Sequence, residues 1–327
     1  MLNRHAVPGL AGGIRPTACL PLRRVLSAGR FRRRHRFRFL RRRSVAGLFF
    51  IAPALLTLAA TFVYPVCYNL WLSLHSYNLS ELYLGIHFVG LQNYAAELGD
   101  PYFWSALRNS LIITLASLAL ELPIGMALAL ILYRRIRWNG FFRFLIILPL
   151  LLIPAVTAYM WRFMFQYDGI VNYILSLIHV GAVNWAKTAT GLLSVIIVTV
   201  WENAPFSLII FLAGLQSVDP ELWAAAKVDG AGPVRRFLHV TLPLMRPFVL
   251  VVIVIRTMDL LRLFDEGYIL TGGAPARTTE TLSQLVYTST FTYFNVGQGS
   301  ALAVVEGLIV IAAVLSCFLT LGVRQGT

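Results

Sequence analysis

Between Ser44 and Leu74 the chain carries no charged residue. A stretch of that length and composition is long enough to cross a bilayer, which takes roughly 20 apolar residues as a helix. Further apolar runs lie at about 105–133, 144–165, 190–215, 247–270 and 300–323. Within hydrocarbon every backbone N–H and C=O must be paired inside the structure, so these runs predict helices. The expectation is an all-α polytopic membrane protein with about six transmembrane helices. Composition agrees, with 58% hydrophobic and 13% charged residues and a mean hydropathy of +0.72, against roughly 45–50% and 25% in soluble domains. Pro53, Pro65, Pro123, Pro149, Pro154 and Pro205 interrupt the runs, which membrane helices tolerate when neighbours satisfy the freed carbonyls.

Basic residues set the expected orientation. Thirteen Lys and Arg precede Ser44, four lie between the second and third runs (Arg134, Arg135, Arg137, Arg143), four lie between the fourth and fifth (Lys227, Arg235, Arg236, Arg246), and Arg324 closes the chain. The alternate connections hold only Arg108, Lys187 and Arg277. The positive-inside rule therefore places both termini in the cytoplasm. The net charge of +14 is concentrated in the first 43 residues, where RRVLSAGRFRRRHRFRFLRRR interleaves Arg with Phe and Leu. The plainer reading is a topology anchor on anionic lipid; an RNA-binding arm and a mitochondrial transit peptide are rivals that the same pattern imitates. No nucleic-acid partner is expected.

Enzymatic motifs are missing. Cys19, Cys67 and Cys317 are scattered without CxxC or Cys/His spacing, so no metal site or disulfide framework is implied. The sequence contains no GxxxxGK[ST], HExxH or GxSxG. The chain is expected not to be an enzyme and to bind no cofactor directly.

The polar stretch DPELWAAAKVDGAGPVRRFLHVTLPLMRP, Asp219 to Pro247, is an island between two apolar runs. Asp219 can cap a helix beginning at Pro220, and Gly230 can end it. A second short helix is expected from Pro233 to about Leu242, ended by Pro243. The island resembles the coupling-loop signature of binding-protein-dependent ABC importers, in which Glu-Ala-Ala, a glycine and an aliphatic-x-Leu-Pro recur at fixed spacing. Ala225, Ala226, Gly230, Val240, Leu242 and Pro243 fall on that spacing. The family glutamate falls on Ala224, and Glu221, one turn earlier on the same face, or Asp229 is the expected substitute. The resemblance implies that Glu221, Ala224, Ala225, Ala226, Asp229, Gly230, Leu242 and Pro243 meet an ATPase subunit. Any ATP and Mg used would be handled there.

Two further stretches narrow the resemblance to permeases of the carbohydrate-uptake group that includes the maltose and glycerol-phosphate importers. FVGLQNY, Phe88 to Tyr94, is similar to their external element, and Phe264, Asp265, Tyr268, Leu270, Thr271, Gly272 and Gly273 to the end of their fifth helix. Phe294, Gly297, Gly299, Ser300 and Ala301 fit the lead into the sixth. The organisation expected is a basic cytoplasmic tail 1–43, a first helix 44–74, an external segment 75–104, and an importer core 105–323 whose coupling loop spans 216–246.

Charged residues within apolar runs are costly, at least about 2.5 kcal/mol each on insertion scales, and mark functional paths by default. Arg256, Asp259 and Arg262 are spaced to form a ladder of ion pairs on one helix face. That ladder either lines a solute path or pins the fifth helix to a neighbour. Glu202 and Asn203 precede Pro205, where a break in the fourth helix would expose backbone polar groups. The resemblance implies that positions Thr199, Glu202, Asn203, Asp259, Leu260 and Leu263 line a sugar site, to which the ladder adds Arg256. Glu121 and Glu306 are expected to hydrogen-bond between helices. Tyr159 and Trp161 offer a stacking face but fit an interfacial belt better, and His239 reads as solvated.

Taken together, these features predict the permease subunit of an ATP-driven importer of the type I ABC fold, in a bacterial inner membrane, for a sugar, oligosaccharide or polyol-like solute. Its expected partners are a second permease, two ATPase subunits, an extracytoplasmic solute-binding protein and the lipid bilayer. A proton-coupled secondary transporter using Glu202, Asp259 and Glu306, and a non-transporting structural subunit, are the rival classes.

Overall fold

The computed structural model describes residues 50–133, 138–185, 187–273 and 277–322. The basic tail 1–43, Arg134, Arg135, Arg137, Ala276 and Arg324 lie outside the described residues. The chain divides into two units, Met1–Tyr64 and Pro65–Thr327. In the first, the described residues begin a helix, α1 (Phe50–Ser73), whose Phe50, Leu56 and Phe62 are exposed.

The second unit holds the remainder of α1, and then a two-stranded antiparallel ribbon pairs β1 (His75–Ser76) with β2 (His87–Phe88). After it comes α2 (Gln92–Gly99). Asn93 donates through Nδ2 to the carbonyls of Ser73 and His75, and Tyr94 and Ser73 share a hydroxyl hydrogen bond of 2.6 Å. The FVGLQNY element thus clamps the end of α1.

Two long helices form the centre of this unit. α3 (Pro101–Tyr133) packs along α7 (Thr188–Ser217). At about 1.5 Å per residue each is long enough to cross a bilayer. Gly125 of α3 permits the close approach: a Cβ there would lie 2.5 Å from the Cβ of Ser207. Small residues at such seams let helix backbones meet where lipid gives no hydrophobic drive for association. Buried side chains on either side of the seam, including Ile113, Val195, Leu208, Phe211 and Leu215, fill the core.

The run at 144–165 is not one straight span. α4 (Asn139–Ile147), continued by a 3-10 turn to Leu151, meets α5 (Pro154–Met164) at 97°. Leu152 and Ile153 are extended, with ψ of 150° and 129°, Ile153 because the residue before a proline is pushed out of the helical region. After α6 (Ile170–Leu177), α7 runs without interruption through Pro205. The break expected at that proline does not form. Asn203 Nδ2 donates to the Thr199 carbonyl at 3.1 Å within the same helix, and α7 is held on several sides by α3, α5 and the elements that follow.

The island folds into α8 (Pro220–Val228) and α9 (Pro233–Leu244). Asp219 Oδ1 accepts from the Glu221 amide at 2.9 Å, as the cap requires. Gly230, at φ 74°, and Ala231 donate to the Lys227 and Ala226 carbonyls, closing α8 by the glycine-dependent C-terminal motif. Pro243 does not end α9. A π-turn at Phe237–Thr241 precedes it and takes up the missing N–H and the crowding of the ring against the preceding turn. α9 then bends by 64° into α10 (Arg246–Leu261).

The fifth apolar run is also divided. α10 stops at Leu261, and α11 (Asp265–Thr271) begins after a non-helical Phe264. α12 (Leu282–Tyr287), with a full capping box at Thr281 and Gln284, leads to α13 (Val296–Cys317). Among the described residues four helices are long and apolar enough to cross a membrane, or up to six if each bent pair counts as one span.

Candidate functional site

All seven residues expected on the solute path lie on one cavity of about 280 Å³ between α7, α10 and α11. Thr199, Glu202 and Asn203 come from α7, within five residues that span just over one turn, and so share a face. Arg256, Asp259 and Leu260 come from α10, and Leu263 from the break. The lining also includes Pro154, Arg262, Phe264, Asp265 and Glu266. Unwound backbone deep within a membrane protein is tolerated where it borders a cavity, and the interruption between Leu261 and Asp265 meets that condition.

The ion pairs differ from the expected ladder. Arg256 donates through Nε and Nη2 to the two carboxylate oxygens of Glu121 on α3, at 2.8 and 2.9 Å. Its contact with Asp259 is a single bond of 3.4 Å, and the Asp259 side chain is 58% exposed. Arg262 makes no ion pair with Asp259 among the described residues. The i,i+3 spacing on α10 is sterically adequate, but a planar guanidinium is matched better by both oxygens of a fully buried carboxylate. Glu306 likewise bonds between helices, accepting from Ser283 Oγ at 2.5 Å.

Two buried polar atoms on the cavity wall lack a protein partner. Glu202 is 4% and Thr199 1% exposed, yet Glu202 Oε2 and Thr199 Oγ1 make no hydrogen bond. Buried groups of this kind cost free energy until a donor or acceptor reaches them. Glu266, missed by sequence reasoning, is 7% exposed in the first turn of α11. The available signal was the pair Asp265 and Glu266 inside an apolar run. Trp161 is half-buried, its ring 5.5 Å from that of Trp201, whereas Tyr159 is exposed.

The island presents a different surface. Glu221, Ala224, Ala225, Asp229, Gly230, Leu242 and Lys227 are exposed, and Ala226 is half-buried. Trp223 anchors α8 from beneath, its ring 5.0 Å from Tyr133 at the end of α3. Pro243 lies in the turn where α9 approaches its bend, so the island is continuous through that bend with the helix carrying Arg256 and Asp259. His239 is exposed on α9.

Comparison with known proteins identifies what carries such an arrangement. Residues 121–324 match the family described as "Binding-protein-dependent transport system inner membrane component". The chain is 34% identical over 277 residues to the trehalose/maltose transport system permease protein MalF of Thermococcus litoralis, covering 83% of this chain and 92% of that one. It is 37% identical over 254 residues to the trehalose transport system permease protein SugA of Mycobacterium tuberculosis, covering 78% and 81%. In fold it is similar to a chain of a bacterial ABC transporter involved in the import of the acidic polysaccharide alginate, with a TM-score of 0.75 at 20% identity over 90% of this chain and 99% of that one.

Proposed function

This chain belongs to the family of binding-protein-dependent transport system inner membrane components, and from that premise we propose that it forms, with a second permease, the path of a sugar, oligosaccharide or polyol-like solute. It is a multi-pass permease subunit of an ABC importer. The observation that carries the reading is the convergence of Thr199, Glu202, Asn203, Arg256, Asp259, Leu260 and Leu263 on one cavity beside the break between α10 and α11. Relatives named for trehalose, maltose and lactose support a carbohydrate.

In this proposal an extracytoplasmic binding protein delivers the solute and two ATPase subunits, which use the ATP and Mg, grip α8. Closure of the ATPases moves α8 and α9. The bend at Met245 passes that movement into α10, and the cavity opens alternately to the two sides. Unpartnered Glu202 Oε2 and Thr199 Oγ1 accept or donate hydrogen bonds to solute hydroxyls, which recovers the cost of leaving them buried and bare. Both termini lie in the cytoplasm, as the distribution of basic residues supports.

Asn203→Ala and Asp259→Asn test the site. Asp259 is mostly exposed to the cavity, so its substitution does not leave a buried charge alone. Either variant should lower solute uptake at least about tenfold, the loss of one or two hydrogen bonds to the solute, while the assembled complex retains basal ATP hydrolysis. Unchanged uptake in both variants would place the solute site elsewhere.

A further inference from the structure

The same cavity carries an imbalance of charge that a neutral solute does not use. Glu202, Asp259, Asp265 and Glu266 line it, against Arg256 and Arg262. Arg256 is already engaged, held by both oxygens of Glu121 with both side chains buried. Beyond that pair Arg256 makes only the longer contact of 3.4 Å with Asp259, and Arg262 is the other cation facing the four carboxyl groups. Of these, Glu202 and Glu266 are more than nine-tenths buried, and Glu202 Oε2 has no hydrogen-bond partner. Among the described residues no three His, Cys, Asp or Glu side chains converge closely enough to hold a metal ion. The negative charge is therefore spread along a wall rather than gathered at a point, which suits an organic cation with several donors better than a bare ion.

Resting on the reading of this cavity as the solute site, we propose that it grades solutes by charge: a polyhydroxylated solute bearing a protonated amine is preferred to its neutral counterpart, and one bearing a carboxylate is turned away. Away from bulk water these interactions are stronger and less screened than at a surface. An ammonium beside Glu202 gives the orphaned oxygen a charged donor. A carboxylate there would instead face Glu202, Asp259, Asp265 and Glu266, with Arg262 the one lining cation outside an ion pair among the described residues.

The test is binding of glucosamine, glucose and glucuronic acid to the complex of this chain with its permease and ATPase partners. The binding protein is left out so that its own selectivity does not enter. Glucosamine should bind about tenfold or more tightly than glucose, as one charge-assisted hydrogen bond allows, with glucuronic acid weaker than both. Glu202→Gln should reduce the glucosamine preference to less than about threefold, and Asp265→Asn, on a less buried part of the wall, should move it the same way. Raising salt should narrow the preference in the unmodified complex, which supplies the test if either variant fails to assemble. Glucuronic acid binding as well as glucose, or a glucosamine preference indifferent to both variants and to salt, overturns the proposal. Binding of glucose without any grading by charge overturns this proposal and spares the carbohydrate reading; no binding of any of the three brings down both.

Discussion

Arg256 and Glu121, separated by 135 residues in sequence, are joined by two charge-assisted hydrogen bonds of 2.8 and 2.9 Å in the buried seam of α3 and α10. Breaking a buried pair strands its partner, typically at a cost of about 3–5 kcal/mol. Glu121→Ala should therefore lower stability by about that much in thermal unfolding of the detergent-solubilised protein. Asp259→Ala, which removes an exposed and longer contact, should cost less than about 1 kcal/mol. Equal losses would mean that Asp259 matters to Arg256 as much as Glu121 does.

The α3–α7 seam makes a steric prediction. A Cβ at Gly125 would meet Ser207 Cβ at 2.5 Å and backbone atoms of Ser207 and Leu208 at 3.1 and 3.2 Å. Gly125→Leu should destabilise the fold by at least about 1–3 kcal/mol, the range for overpacking. Gly307→Leu, where nothing lies within 4 Å, should be close to neutral. Matching melting temperatures for the two variants would contradict the close approach.

A pH dependence is expected outside the membrane. Burial, aided by the nearby charge of Asp100 and opposed by Arg277, pushes the Glu97 carboxyl on α2 from 4.5 up to about 7. The folded protein thus holds this proton more tightly than the unfolded chain, so stability is full below about 4.5 and is lost as pH rises towards about 7. Melting temperature should fall between pH 5 and pH 8 by an amount that Glu97→Gln reduces, on the order of 2 kcal/mol in stability. An unchanged slope in that variant would assign the dependence to another group.

Orientation is open to chemical labelling. In a background lacking Cys19, Cys67 and Cys317, a cysteine replacing the exposed Gln92 should react with an impermeant thiol reagent from outside. One replacing Gly232, exposed between α8 and α9, should react only after permeabilisation. External labelling at Gly232 would invert the topology and remove the island from reach of a cytoplasmic ATPase.

The proposed docking of an ATPase on α8 can be tested by substitution. Ala225 is exposed, so Ala225→Trp should leave the fold intact while blocking the close approach that a helix-in-groove contact needs. The ATPase should no longer co-purify. Glu221→Ala should lower solute-stimulated ATP hydrolysis more than Asp229→Ala if Glu221 replaces the family glutamate at Ala224; equal effects would remove it from that role.

The sequence determined the parts whose physics is local. Apolar runs specified helices and a bilayer because hydrophobic length is read residue by residue, and Asp219, Pro220 and Gly230 set the bounds of α8 because caps act within a turn. The family resemblance pointed to Thr199, Glu202 and Asn203, and their i, i+3, i+4 spacing is what puts them on one helix face. Only the tertiary structure chose Glu121 over Asp259 as the main partner of Arg256, since the competition was between a neighbour one turn away and a carboxylate on another helix with better geometry and no water. It also decided which prolines bend the chain. Pro205 lies in a helix supported by its neighbours and leaves it unbroken, whereas Pro149 and Pro154 turn α4 into α5, and α10 breaks with neither Pro nor Gly between Leu261 and Asp265. Those outcomes depend on which side of each helix is packed and which faces a cavity. That is a property of the assembled bundle, and it brought Glu266 to the same wall as Glu202.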